Sequence, residues 1–202
     1  MTRKKLKTFL NLFKSTYSFR VIKAPVITNH LHETEARWFA VHTRSRSEKF
    51  VQRMLSKKGI NAYLPLQKLL RRYTRSTRLV EKPLINSYVF VKIIKTQYVP
   101  VLETENVAGF VKFSKNMISI PEEEIEILRR ITLEDGLDVE AVPGQFAEGD
   151  PVEISAGNLM GMKGRIVKLE GKRKMQVELA ALGYSLLITI DATFLEKTGF
   201  HA

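Results

Sequence analysis

The spacing of hydrophobic and polar positions changes several times along the first 131 residues, and each spacing predicts one kind of element. Residues 38–42 are rich in aromatic and β-branched side chains, which is typical of a strand. Hydrophobic side chains then recur at helical spacing until Gly59 and predict an amphipathic helix: Phe50, Val51, Met54 and Leu55. Further strands are predicted at 60–66, 84–94 and 107–111, a short helix within 95–110, and a second long helix after Pro121.

The periodicity is lost from 132 to 145, where acids dominate and Pro143-Gly144 ends the stretch, so this segment is predicted to be a linker. Short alternating stretches follow at 152–154, 164–169, 175–179 and 185–190, and 194–195 closes the series. Several short strands of this kind predict a small five-stranded β-barrel. The predicted fold is α+β, with an N-terminal α/β sandwich at 37–131, the linker at 132–145 and an SH3-like barrel at 146–202.

Composition adds a strong positive charge to this picture. The 202 residues include 33 Lys+Arg against 21 Asp+Glu, a formal net charge of +12, so a polyanion such as nucleic acid, the ribosome or an acidic membrane surface is the expected partner. The lack of cysteine excludes a disulfide framework, a thiol nucleophile and a cysteine-based zinc site. No run approaches the roughly 18 apolar residues of a membrane span, so the protein is expected to be soluble and cytoplasmic.

Much of the positive charge lies at the amino terminus, in residues 1–36. The first 23 residues carry seven cations and no acid, with leucines and phenylalanines at roughly helical spacing: Leu6, Phe9, Leu10, Leu12 and Phe13. A secretory signal is not indicated, because a longer apolar region and a cleavage site with small residues are missing. We expect a basic, poorly ordered extension. A basic amphipathic arm that touches membrane or nucleic acid is the alternative.

Glycines recur between two alternating apolar stretches in residues 149–167. They stand at Gly149, Gly157, Gly161 and Gly164, where turns between strands are expected. This spacing resembles the KOW motif of ribosomal proteins and of transcription elongation factors of the NusG family. A generic SH3-like hairpin with glycines at its bends is the alternative interpretation.

The preceding blocks resemble the N-terminal domain of the NusG family, and the whole resemblance covers about 37–198. Trp-Phe-Ala-Val-His-Thr at 38–43 matches the opening strand, Tyr-Val-Phe-Val at 88–91 a central strand, and Val-Ala-Gly-Phe-Val at 107–111 a later block. The sequence Ile-Asn-Ser-Tyr at 85–88 replaces the Phe-Pro-Gly-Tyr of the general factor. Together with the basic loop and the extension, this difference indicates a specialised paralogue of the RfaH or UpxY kind. Such paralogues act on particular operons, often those for surface polysaccharides.

The resemblance implies a transcription elongation and antitermination factor. Such a factor binds the clamp helices of the largest subunit of RNA polymerase and raises processivity, and we expect it to be a monomer. The positions that align with the polymerase-binding pocket are Ile85, Tyr88, Phe90 and Phe110. Tyr88 and Phe90 share one face of a strand, so both are expected in the protein's own core or both available to a partner.

Two basic segments are candidate nucleic-acid contacts. By the resemblance, Arg44 faces the non-template DNA strand, with Arg46 beside it. The loop at 68–78 concentrates cations around one aromatic, which favours contact with DNA through phosphates and base stacking: Arg71, Arg72, Tyr73, Arg75 and Arg78. An ordinary solvated turn and a solvated hairpin tip are the alternatives.

The loop at 157–163 carries three large apolar side chains: Leu159, Met160 and Met162. If exposed, they need a partner to cover them. The resemblance implies that ribosomal protein S10 or the terminator Rho docks here. Capping of the barrel core is the alternative.

An enzyme is the function class with least support. The run Gly161-Met162-Lys163-Gly164 lacks the spacing and the Ser or Thr of a phosphate-binding loop, and no catalytic constellation stands out. We therefore expect neither a cofactor nor a metal. The alternative function is a ribosome-associated KOW protein that binds RNA, which explains the charge but not the ordered blocks between 38 and 128.

Overall fold

The first sheet of the protein is antiparallel and carries the blocks that the sequence analysis placed at 38–43, 88–91 and 107–111. The structure is a computed structural model that describes residues 29–73, 76–112, 116–143, 149–169 and 172–197. In this part of the chain the sheet has four strands in the order β2-β5-β1-β6. They are β1 (Arg37–Thr43), β2 (Asn61–Tyr63), β5 (Tyr88–Ile93) and β6 (Val107–Phe110). Residues 1–28 of the expected basic extension, and with them the alternative amphipathic arm, lie outside the described residues.

Helices cover both faces of the first sheet. They are α1 (Glu48–Lys57), α2 (Tyr98–Leu102) and α3 (Glu122–Leu133). Helix α1 ends where Gly59 adopts a φ of 72°, as its sequence predicts. Helix α3 follows Pro121 and carries three glutamates in its first turn, where the helix dipole favours acids.

The strict alternation of β1 divides the core into two clusters. Phe39 and Val41 point towards α1 and pack with its buried Val51 and Leu55. Trp38 and Ala40 point the other way and pack with the α3 side chains: Ile125, Leu128 and Ile131. Because the side-chain period of a strand is two, one strand supplies both clusters.

The segment at 68–78, expected to be a basic loop, belongs to a β-hairpin. The predicted secondary structure of this segment was therefore wrong. Strands β3 (Leu66–Tyr73) and β4 (Ser76–Pro83) pair with each other and form a separate sheet that, among the described residues, has two strands. Leu69 pairs with Val80, and Leu70 with Leu79. Because each strand has two apolar residues next to each other, the sequence lacks the regular apolar–polar alternation that predicts a strand. The many arginines obscure the pattern further.

The second sheet contains the strands predicted after residue 150, with one addition. Among the described residues its order is β12-β8-β9-β10-β11-β7, six strands in all. The strands are β7 (Val139–Pro143), β8 (Pro151–Ile154), β9 (Lys163–Leu169), β10 (Lys172–Leu179), β11 (Tyr184–Ile188) and β12 (Leu195–Lys197). The added strand β7 lies inside the expected linker and pairs with β11 from Val139 to Pro143. Because α3 also extends to Leu133, the segment between helix and strand is reduced to 134–138.

Two motif glycines are required by backbone conformation and two by space. Gly157 and Gly161 adopt φ values of 80° and 81°, in the region that side chains other than glycine rarely occupy. At Gly149 and Gly164, a Cβ atom would collide with the backbone of Ile166 and Gln176 respectively. The regular spacing of these glycines therefore reflects two different steric needs.

Candidate functional site

Two of the residues aligned with the family's polymerase-binding pocket are buried in this structure. Ile85 is 2% exposed and Phe90 is 0% exposed. Both belong to one hydrophobic cluster that also includes Ile125 of α3 and Leu182, which lies between β10 and β11. The second sheet thus helps to cover the face of the first sheet on which these residues lie.

Tyr88 marks the centre of this contact between the two sheets. Its ring meets the ring of Tyr184 edge-on, with 5.7 Å between centroids, and lies 4.4 Å from the ring of His42. Burial, together with the hydroxyl of Tyr184, raises the pKa of Tyr88 to about 12. Tyr88 is therefore a half-buried, neutral aromatic whose outer side is covered by the second sheet.

Phe110 lies on the opposite face of the first sheet, away from the other three aligned residues. It stacks on Tyr98 of α2 with 4.9 Å between ring centroids and meets Phe39 edge-on at 6.4 Å. It belongs to the cluster that α1 covers. The structure thus brings together Ile85, Tyr88 and Phe90 but not Phe110.

Polar contacts also join the second sheet to the first half of the chain. Arg130 of α3 donates hydrogen bonds to the carbonyl oxygens of Asn158 (2.9 Å) and Met160 (2.7 Å). From β3, the Nε2 of Gln67 donates to the carbonyl oxygens of Leu137 and Val139, at 3.2 and 3.1 Å. The contact between the two sheets is thus partly apolar and partly polar.

The loop at 157–163 differs from the exposed docking loop that the sequence suggested. Leu159 and Met162 are buried, at 6% and 3% exposure, whereas Met160 is 61% exposed. The loop folds back on β8, where Ile154 N–H donates to the Met162 carbonyl (3.0 Å) and Gly161 N–H to the Ile154 carbonyl (2.8 Å). The alternative, in which these side chains cap the core, therefore holds for Leu159 and Met162.

The predicted basic residues near β1 lie at the amino end of α1. Arg44 and Arg46 are exposed. The Arg44 N–H donates to the carbonyl of Asn106 at 2.9 Å, and Arg46 adopts a φ of 61°. Glu48 is buried and accepts a hydrogen bond from Ser87 N–H at 2.7 Å, which ties the start of α1 to the strand β5.

A cleft of about 680 Å³ separates the start of α1 from the base of the β3–β4 hairpin. Basic residues from both sides line it: Arg46, Lys49 and Lys82. Lys49 also pairs with Glu81 across the cleft at 2.8 Å. The structure thus brings one of the two basic segments, at 44–46, next to the base of the other.

Towards the hairpin tip, the described basic side chains are exposed. Arg72 and Arg78 are open to solvent, and the backbone register sets Arg78 directly opposite Arg71. Leu70 and Leu79, a second cross-strand pair, are 76% and 61% exposed. Arg75 and the side chains of Arg71 and Tyr73 lie outside the described residues.

The sequence analysis did not identify Glu124, Arg130 or Tyr184, which contact across the two halves of the chain. Each has an ordinary position in its own element, a helix or a strand, so no local pattern distinguishes it. In the described residues, no group of three or more histidines, acids or cysteines is placed to hold a metal ion. None of the described helices combines the length and the apolar character needed to cross a membrane.

Comparison with known proteins finds a family resemblance. Residues 36–129, which span the first sheet and most of α3, match the family model described as "Transcription termination factor nusG". Over these residues the chain is similar to the NusG family. Its relatives include the transcription termination/antitermination proteins NusG of Streptococcus pyogenes serotypes M3 and M1, each 29% identical over 168 residues. These alignments cover 76% of this chain and 92% of each relative.

A solved NusG structure has a similar fold. The structure titled "Domain interaction in Thermotoga maritima NusG" aligns with 82% of this chain and 98% of its own, with a TM-score of 0.51 and 21% sequence identity. This likeness concerns the fold. It supports a mixed α/β architecture in which sheets predominate and helices are few.

Proposed function

We propose that this NusG-like protein is a transcription elongation and antitermination factor that binds RNA polymerase and increases its processivity. The proposal rests on the family match over 36–129 and on the relatives named for termination and antitermination. We further propose that it acts at specific operons, such as loci for surface polysaccharides, because its Ile-Asn-Ser-Tyr at 85–88 departs from the general factor. The alternative of a ribosome-associated RNA-binding protein is not favoured by this family match.

The observation that carries the proposal is the position of Tyr88 between the two sheets. A large aromatic with a polar tip is a frequent centre of binding hot spots. Here Tyr184 covers it. We propose that the face containing Ile85, Tyr88 and Phe90 receives the clamp helices of the polymerase, and that the second sheet must move away before they bind. Phe110, in the apolar cluster of the other face, would contribute only indirectly by supporting the sheet.

We propose that the basic surface around the α1–hairpin cleft contacts the non-template strand and upstream DNA. Arg46 lines one side of the cleft and Arg44 is exposed close to it in the chain, and the hairpin carries further cations towards its tip, including Arg72 and Arg78. Phosphates would bind these exposed cations. We propose that Arg71, Tyr73 and Arg75, in the same segment of the sequence, take part in this contact.

For the second sheet, we propose a KOW domain with an SH3-like barrel that recruits a second partner, ribosomal protein S10 or Rho. Met160 is the exposed member of the apolar loop and the most direct contact for such a partner. Leu159 and Met162 would act indirectly, because they hold the loop from below. Burial of both residues limits the docking role of the loop to its tip.

The test is co-purification of RNA polymerase with the intact protein and with two single variants. Tyr88→Ala removes the proposed central contact, whereas Tyr98→Ala removes a half-buried tyrosine on the other side of the sheet and serves as the matched control. We expect polymerase to be retained by the intact protein and by Tyr98→Ala, and lost by Tyr88→Ala with the circular dichroism spectrum unchanged. Failure of the intact protein to retain polymerase would overturn the proposal.

A further inference from the structure

Glu124, in the first turn of α3, reaches across to the turn between β10 and β11. Its Oε1 accepts a hydrogen bond from the Ala181 N–H at 2.9 Å. Within this turn, Leu182 N–H donates to the carbonyl of Leu179 and Gly183 N–H to that of Ala180. The carboxyl group therefore satisfies the Ala181 donor in the turn that directly precedes Tyr184.

The second oxygen of the same carboxyl group is buried without a partner. Glu124 Oε2 has no hydrogen-bond partner among the described residues. The turn at 180–183 contains no charged residue, and the charged groups that act on Glu124 are both acids, Glu178 of β10 and Glu123 of α3. Burial raises the pKa of Glu124 above its ordinary value, and the two acids act in the same direction. Burial opposes ionisation of this carboxyl group, because a charge on the unpaired oxygen is shielded from water.

We propose that Glu124 is the positioning residue that fixes where the β10–β11 turn, and with it Tyr184, sits on the first half of the chain, and that its unpartnered oxygen keeps this docking reversible. The inference rests on the proposed function in one respect, since reversible docking uncovers Tyr88. If Glu124 only strengthened the contact, both of its carboxyl oxygens would have hydrogen-bond partners. Glu124 instead guides the turn into place and limits how firmly it is held.

The direction of the pH dependence follows from the raised pKa. Docking makes the proton on Glu124 harder to remove, so protonation favours the docked form. The contribution of Glu124 to docking is fully present below the pKa of its carboxyl group in the undocked form. It is lost as the pH rises through the raised pKa of the docked form. Acidification therefore closes the protein and neutral pH loosens it.

The distance between the two halves of the full chain provides the test. The chain has no cysteine, so spin labels at Lys57→Cys and Glu196→Cys, both exposed positions, report this distance alone. With Glu124 unchanged, we expect the ratio of closed to open protein to fall as the pH rises from 4.5 to 7.5. Glu124→Gln keeps an acceptor for Ala181 without the charge, and should stay closed across this range.

Two further variants separate positioning from general charge. Glu124→Ala removes the acceptor, so it should lower the ratio of closed to open protein about fivefold at pH 4.5, as the loss of one hydrogen bond does, and should remove the pH dependence. Glu123→Gln, one residue away and exposed, is the matched control and should retain most of the pH dependence. If Glu124→Gln and Glu124→Ala both keep the original pH profile, the proposal is overturned, and so it is if Glu123→Gln abolishes that profile.

These distances are measured without polymerase, so they are independent of the test of the proposed function. If polymerase fails to bind but the Glu124 variants shift the distance as expected, the docking inference stands and the polymerase assignment fails. If polymerase binds through Tyr88 but the variants leave the distance unchanged, the reverse holds. Glu124→Gln preserves size and shape, so its result decides the case even if Glu124→Ala does not fold.

Discussion

The two faces of the first sheet are covered in different ways. On one face, α1 and α2 close a cluster of apolar side chains that belongs entirely to residues up to Met117, including Phe39, Leu55 and Phe110. On the other, α3 and the second sheet share the cover, and polar groups cross the boundary from Gln67, Glu124 and Arg130. The apolar cluster under α1 and α2 is a permanent part of the core. The contact with the second sheet is partly polar and comes from a distant segment, so it can be released without unfolding either half of the chain.

The largest expected effect is a loss of stability when the apolar cluster under α1 and α2 is disrupted. Leu55→Ala removes a side chain that is 0% exposed and should lower the free energy of unfolding by about 2–5 kcal/mol, because a cavity remains in the core. Urea unfolding followed by circular dichroism measures this loss. Leu79→Ala, at a leucine that is 61% exposed on the hairpin, should change stability by less than about 0.5 kcal/mol. Equal losses in the two variants would contradict the distinction between core and surface.

A smaller effect, confined to docking, is expected from Arg130→Gln. The substitution removes the charged donor that binds the carbonyls of Asn158 and Met160, so the ratio of docked to open protein should fall about tenfold. The spin-label pair at 57 and 196 measures this ratio. Urea stability of the first half should stay within about 0.5 kcal/mol of the original, as should that of the control Arg53→Gln on the exposed side of α1. A fall in stability equal to the change in docking would mean that the two faces are one cooperative unit.

High pH should release the second sheet from the first, because Tyr88 ionises. Its pKa is raised to about 12 in the docked form, so the contribution of Tyr88 to docking is fully present below the ordinary tyrosine value and is lost as the pH rises through about 12. Titration of tyrosinate absorbance, together with the spin-label distance, should show both changes in the same pH range. Tyr88→Phe should remove this step, and Tyr98→Phe should leave it in place. An opening transition that persists in Tyr88→Phe would assign it to another group.

The smallest expected effect comes from the ion pair between Lys68 and Asp135. The two side chains are 3.1 Å apart but 42% and 69% exposed, so Lys68→Ala should weaken docking by less than about 1 kcal/mol. The effect should shrink further at high salt because exposed charges are screened. Comparison of closed populations at low and high salt measures it. A larger change than that of Arg130→Gln would reverse our ranking of the contacts.

Local sequence patterns predicted most elements of both sheets. The aromatic and β-branched run at 38–42 became β1, the helical spacing from Phe50 to Leu55 became α1, and the glycines after 149 lie where β8 and β9 turn. These patterns work because each element buries one face at a fixed period. The hairpin at 66–83 was read as a loop because adjacent leucines and many arginines obscure the period of two. Strand β7 was missed because Val139 and Ala141 alternate with acids in a segment that resembles a linker.

The candidate site was predicted less completely, for a related reason. The sequence placed Tyr88 and Phe90 on one face and offered two readings, core or partner surface. The structure gives an intermediate answer, because Phe90 is buried while Tyr88 is half-buried under Tyr184. The separation of Phe110 from these residues depends on which side of the sheet β6 presents, and the burial of Leu159 and Met162 depends on how their loop folds back on β8.

By itself, the sequence determined most of the elements, the positive charge and the resemblance to the NusG family, because periodicity, composition and motif spacing are local properties of the chain. Tertiary structure decided which surfaces are free. The pairs Tyr88 with Tyr184 and Glu124 with Ala181 join positions that are far apart in the chain, and nothing in the spacing of either partner specifies the other. Contacts of this kind depend on the relative placement of two folded units, which follows from the shape and charge of whole faces rather than from any local pattern.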